Sequence, residues 1–182
     1  MTASPLEPVS QSRFALSKLV IAVHDMAGYT RAAKDADELA LAHFMDDYYA
    51  LAAAEVRSGG GRLVKSIGDA ILAVFPEEKC AEAVEAMSRL RDRAAEVAKR
   101  HGVHVQPGHT NLHLATVASG DFGPEGDRRY DVIGSGVNHT FLLGGRRGDG
   151  VHISETVFRK LPNEARAAWR KERPPVVYSR DR

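Results

Sequence analysis

The stretch from Gly61 to Phe75 constrains the chain most. Two apolar, β-prone runs, Leu63-Val64 and Ala70-Ile71-Leu72-Ala73-Val74-Phe75, flank the dipeptide Gly68-Asp69. Such a pair suits a tight two-residue hairpin turn. The turn residue is an acid, and Lys65 sits four positions before it. A hairpin tip holds a carboxylate at the rim of a sheet, within reach of a hard metal ion. Asp also favours turns for purely local reasons, so the hairpin alone leaves both readings open.

The chain reads in order as strand, helix, hairpin, helix, strand and short closing elements. Residues 1–13 mix Pro, Ser and Thr without periodicity and read as a loose lead-in to one domain over residues 14–182. Leu19-Val20-Ile21-Ala22-Val23 is a buried central strand. Asp35 with Glu38 opens a helix to Ser58, stopped by Gly59-Gly60-Gly61. A second helix spans Glu77–His101, and His109–Ala118 and Tyr130–Ile133 are strands. Pro162–Arg170 reads as a helix and Pro174–Tyr178 as a closing edge strand. This order predicts an α+β fold: a ferredoxin-like βαββαβ core with one antiparallel-containing sheet and helices on one face.

Composition removes several function classes. Of 182 residues, 25 are Lys or Arg and 24 Asp or Glu, giving a net charge of +1; no global field calls for a polyanion. The basic run Arg89, Arg91, Arg93, Lys99 and Arg100 is interleaved with Glu85, Asp92 and Glu96, so it reads as a solvated helix face rather than a nucleic-acid patch. The single cysteine, Cys80, rules out an internal disulfide and fits a reducing compartment. No apolar run approaches the roughly 20 residues that span a bilayer, and no signal peptide is evident. A cytoplasmic protein with no membrane or nucleic-acid partner is expected. His109 and His113 share a strand face, but no third ligand has zinc spacing around them.

Asp25 follows the first strand and Asp69 tips the hairpin. In a βαββ unit both acids can reach one rim, where they would hold a pair of Mg2+ or Mn2+ ions. Mg2+ takes few carboxylates and fills its shell with waters and substrate phosphates. The backbone N–H groups of Met26 to Thr30, with Gly28 permitting close approach, would cradle phosphates beside them.

Three blocks then carry a resemblance: Asp25-Met26-Ala27-Gly28-Tyr29-Thr30, Lys65-Ser66-Ile67-Gly68-Asp69, and Asp131-Val132-Ile133-Gly134-Ser135-Gly136-Val137-Asn138. In this order, from about Leu19 to Tyr178, the chain resembles the class III adenylate/guanylate cyclase catalytic domain. The resemblance implies Asp25 and Asp69 as metal carboxylates holding two ions, Lys65 and Asp131 as the purine-selecting pair, Asn138 as the ribose-orienting residue, and Gly28, Tyr29 and Thr30 as the phosphate-facing turn. It implies ATP as substrate, 3′,5′-cyclic AMP and pyrophosphate as products, and a homodimer. One chain would supply Asp25 and Asp69, and its partner Lys65, Asp131 and Asn138. An acceptor at Asp131 suits the exocyclic amine of adenine and repels the guanine carbonyl.

The pattern breaks at one position. Four residues after Asn138, active family members carry an Arg that stabilises charge on the reacting phosphate; here it is Leu142. A Leu donates no hydrogen bond to an anion. Arg146 or Arg147 could take that role from a loop, although Gly144-Gly145 interrupts the helix before them; solvated loop arginines are the other reading. Arg170 or Lys171 is the candidate for a further phosphate contact. Two function classes therefore fit: an adenylate cyclase-like enzyme, with activity lowered by Leu142, or a degenerate dimeric module that binds nucleotide without turning it over.

Overall fold

The computed structural model describes residues 12–144, 148–172 and 176–180. Arg146 and Arg147, and most of the N-terminal lead-in, lie outside the described residues. The elements run β1 (Phe14–Ala27), α1 (Tyr29–Asp35), α2 (Glu38–Ser58), β2 (Arg62–Ile67), β3 (Ala70–Pro76), a 3-10 turn (Glu77–Lys79), α3 (Cys80–Arg100), β4 (Gln106–Phe122), β5 (Arg129–Ile133), α4 (Ser135–Leu142), β6 (Gly150–Ser154), α5 (Glu155–Phe158), α6 (Asn163–Arg166), β7 (Arg170–Glu172) and β8 (Val177–Arg180).

The strands form one sheet in the order β2-β3-β1-β4-β6-β8-β7, with β5 paired to β4 off that path. β1 is antiparallel to both β3 and β4, and β2 is antiparallel to β3. Two interleaved βαβ crossovers, β1-α1-α2-β2 and β3-α3-β4, produce this order. The expected ferredoxin-like core is therefore present, and it is the left part of the strand order. β4 and β6 run parallel.

Each face of the sheet has its own core. The two long helices cover one face: Phe44, Tyr48, Leu51, Ala52 and Val56 of α2 and Val84, Met87, Leu90 and Ala94 of α3 pack on Val20, Ala22, Ile71, Ala73 and Phe75. The helical spacing of these residues, three and four apart, generates that stripe. On the opposite face Leu19, Ile21, Val23, Leu72, Val74 and Val117 meet Val132 of β5 and Val137 of α4. Alternation along β1 divides its residues between the two cores.

Several boundaries differ from the sequence expectation for local reasons. Asp37, not Asp35, caps α2, its carboxylate accepting from the N–H groups of Leu39 and Ala40; residues 29–35 form their own short helix. The segment 162–170 is a single helical turn followed by β7. β8 lies between β6 and β7, so the sheet edge is β7. β4 extends well beyond His109–Ala118 because Gly108 and Gly120, which look like breakers, sit inside the ladder. A Cβ at Gly108 would collide with the Asp25 carbonyl oxygen, and its φ is +73°, so glycine lets β4 press against the end of β1.

Three arginines of α3 make contacts within the chain. Arg89 and Arg93 both pair with the buried Glu55 of α2, at 2.9 and 2.5 Å, and Arg91 donates to the Gly108 carbonyl at 2.9 Å. Among the described residues no helix is long and apolar enough to cross a membrane.

Candidate nucleotide and metal site

The hairpin turn is the two-residue one expected, with Ile67 opposite Ala70 and Gly68 at φ +61°, a conformation glycine adopts without strain. Asp25 is opposite Ala70, the residue after Asp69. The register thus brings both acids to one rim of the sheet. His24 and Asp25 part company there: His24 is fully buried on the long-helix side, with Nδ1 3.0 Å from Thr110 Oγ1, while the Asp25 side chain is 40% exposed.

The proximity affects how Asp69 ionises. Burial pushes the Asp69 carboxyl above the usual carboxylate range, a hydrogen bond from its own backbone opposes this, and the Asp25 charge raises it further. The buried Tyr48 hydroxyl is raised by burial and then by the Asp69 and Asp25 charges. Tyr29, the first residue of α1, is raised by burial, by Asp69 and by Tyr49. Opposite Asp25 in the ladder stands His109, whose Nε2 lies 3.8 Å from Asp25 Oδ2.

Among the described residues no three His, Cys, Asp or Glu side chains gather into a ready metal cage. Two crowded carboxylates, one with its ionised form disfavoured, nevertheless fit a hard divalent cation, which would relieve their repulsion and draw its other ligands from water and phosphate.

The second pair is also formed. Lys65 Nζ donates to Asp131 Oδ2 at 2.6 Å. Three residues earlier on β2, the Arg62 guanidinium lies 3.7 Å from the centre of the Tyr130 ring, a cation–π contact. β2 and β5 are not paired strands, so these two contacts join them across the α4 face. Lys65 is opposite Leu72, and Leu72 is opposite Val23, both in the core beneath α4. Asp25 follows Val23 by two residues. Asp25 and the ion pair therefore share one face of the sheet.

α4 crosses that same face. Its seat on β4 is made by the His113 and His139 rings, 4.6 Å apart edge to face, and by Asn111 Nδ2 donating to the Phe141 carbonyl at 3.5 Å. Asn138 points outward, and Leu142, one turn on, is 74% exposed. Gly28, with φ +83°, opens α1 and leads into Tyr29 and Thr30 beside Asp25. Arg170 and Lys171 lie on β7, at the sheet edge opposite to β2, so one chain does not bring them to Lys65.

The fold has clear counterparts among solved structures. The adenylyl cyclase CyaB from P. aeruginosa superposes with a TM-score of 0.76 at 16% identity, covering 91% of this chain and 94% of that one. This is the class III nucleotide cyclase fold. The guanylyl cyclase Cya2 matches at 0.73 and 19% identity, over 92% and 93% of the two chains. A class III adenylyl cyclase-like ATP-binding protein from Pseudomonas aeruginosa matches at 0.69 and 18%, over 85% of this chain and 37% of that one. Weak sequence homology accompanies the fold: an adenylate cyclase of Anabaena cylindrica is 25% identical over 166 residues, 86% of this chain. The chain spans 33% of that relative's length. No protein-family model matches the sequence.

Sequence reasoning singled out both pairs through the three motif blocks. His109 was weighed there only as a zinc ligand, and Tyr49 not at all; they touch the acid rim from β4 and α2. Neither stands in a motif, and only the folded register brings them there.

Proposed function

We propose that this cyclase-fold chain is adenylate cyclase-like, converting ATP to 3′,5′-cyclic AMP and pyrophosphate at a site completed between two copies of itself. In that reaction the ribose O3′ bonds to the α-phosphorus, the bond to the β-phosphate oxygen breaks, and the O3′ proton is lost. Mg2+ or Mn2+ at Asp25 and Asp69 would lower the pKa of the hydroxyl and take charge from the leaving pyrophosphate. The carboxylates would fix where the cations stand. The turn at Gly28, Tyr29 and Thr30 offers backbone N–H groups to the phosphates. Lys65 of the other copy donates to a ring nitrogen of adenine, Asp131 accepts from the exocyclic amine, and Asn138 orients the ribose. Aligning the hydroxyl with the phosphorus is the largest contribution that positioning makes.

The observation that supports this reading is that the register brings Asp25 and Asp69 to one rim, with Asp25 on the face that also carries the Lys65–Asp131 pair. With Mn2+ and ATP, purified protein is expected to form cyclic AMP, at a specific activity that rises with protein concentration, and Asp69→Ala is expected to abolish it. ATP bound without any product at high protein concentration would instead support a nucleotide-binding module. Leu142 is the specific feature favouring that second reading, because an exposed Leu neutralises no phosphate charge.

A further inference from the structure

The β2–β3 hairpin carries one of the two proposed metal acids, yet little packing holds its tip. β2 is the last strand of the sheet on its side. Ile67 is 46% exposed, and a Cβ placed on Gly68 would meet no atom within 4 Å. The ladder behind the turn fixes its base, not the orientation of the peptide from which Asp69 hangs.

A hydrogen bond from α2 reaches that peptide. The Tyr49 hydroxyl donates to the Gly68 carbonyl at 2.7 Å. This carbonyl belongs to the planar unit joining Gly68 to Asp69, so anchoring it sets the direction in which the Asp69 side chain leaves the turn. The anchor is itself firm. Tyr49 stands in the middle of α2, whose Phe44, Met45, Tyr48, Leu51 and Ala52 are buried, and its ring lies against Tyr48, centroids 5.7 Å apart.

We propose that Tyr49 is a positioning residue for the metal site, its hydroxyl holding the hairpin turn so that the Asp69 carboxylate faces Asp25. This rests on the reading of Asp25 and Asp69 as metal carboxylates. Tyr49 touches neither substrate nor cation in this scheme; it acts through the backbone of Gly68.

Tyr49→Phe keeps the ring and deletes the donor, so it tests the tie alone. Mn2+ is titrated into the chain of residues 1–182 and free ion is counted by electron paramagnetic resonance, for wild type, Tyr49→Phe and Asp69→Asn, with melting temperature and backbone amide exchange measured in parallel. Tyr49→Phe is expected to weaken Mn2+ binding about tenfold, the lower range for loss of a supporting hydrogen bond at a metal site. Amide exchange at Asp69 and Ala70 is expected to quicken, with the melting temperature of the metal-free protein unchanged. In turnover the variant is expected to raise the KM for metal while leaving the ATP preference over GTP intact. Mn2+ affinity equal to wild type would overturn the proposal, as would a loss of affinity that merely follows a lowered melting temperature. Wild type that binds no more Mn2+ than Asp69→Asn would overturn it too, and there the failure lies with the carboxylates as a metal site. Tight wild-type binding with an unaffected Tyr49→Phe leaves the metal reading intact and removes only the tie.

Discussion

Lys65 Nζ lies 2.6 Å from Asp131 Oδ2, an ion pair linking two strands, β2 and β5, that share no ladder. Both partners remain partly exposed, at 44% and 23% of their side-chain surface. An ion pair of this kind contributes only about 0–1 kcal/mol. On the proposed reading an adenine ring would displace this pair at little cost, taking a donor from Lys65 and an acceptor from Asp131.

Truncating either residue separates recognition from stability. Lys65→Ala and Asp131→Ala are each expected to raise the KM for ATP by about 10- to 100-fold, the range for losing a hydrogen bond to a charged group. Stability should change by less than about 1 kcal/mol, since the pair is exposed. Asp131→Ala should also narrow the preference for ATP over GTP, because the repulsion of the guanine carbonyl is gone. Initial rates with both nucleotides, beside thermal melts, check this.

Acid should destabilise the domain through the buried His24 and the half-buried His113. His24 is fully buried beside Tyr48, and burial lowers its pKa from 6.5 to about 3; His113, under α4, is lowered to about 4 by burial and by His139. Between these values and 6.5 the unfolded chain takes up protons that the folded chain refuses. Stability is therefore full above about pH 6.5 and falls as pH drops through that window. Denaturant midpoints measured from pH 7.5 to 4 should fall steadily, and His24→Gln should flatten the slope.

Leu142 offers a gain-of-function test. It extends from α4 into solvent, one turn beyond Asn138, where the resemblance implies a charge-stabilising Arg. Leu142→Arg removes exposed apolar surface, so folding should be unharmed. If catalysis is limited by that missing donor, kcat should rise by about 10²-fold, the scale of one preorganised donor to a developing anion, with little change in the KM for ATP. An unchanged kcat would mean that another group already meets the phosphate.

The parts of the chain legible from sequence were those governed by local rules. Gly68-Asp69 between β-prone runs dictated the hairpin, and helical spacing in 44–56 and 80–98 dictated the two long helices. The reading failed where tertiary contact overrides local preference. Gly108 and Gly120 suit a break in isolation but serve the close packing of β4 on β1. Asp35 and Asp37 are equivalent cap candidates until the chain turns after α1. The candidate site residues stand in motif blocks and could be named from sequence; the residues that contact them could not. Lys65 and Asp131 are 66 residues apart, and Tyr49 meets Gly68 only because α2 lies over the hairpin.

On the proposed reading one copy contributes the metal acids and another the base-selecting pair. The direct measurement is cyclic AMP formation, at ATP well below the wild-type KM, by a mixture of two variants: Asp69→Asn, silent alone, and Asp131→Ala, whose raised KM leaves it about 10- to 100-fold slower there. Random reassortment makes half of the dimers mixed, and each mixed dimer retains one intact site of two. The equimolar mixture should therefore recover about a quarter of the wild-type rate. A mixture as silent as its components, beside an active wild type, would contradict a site shared between two copies.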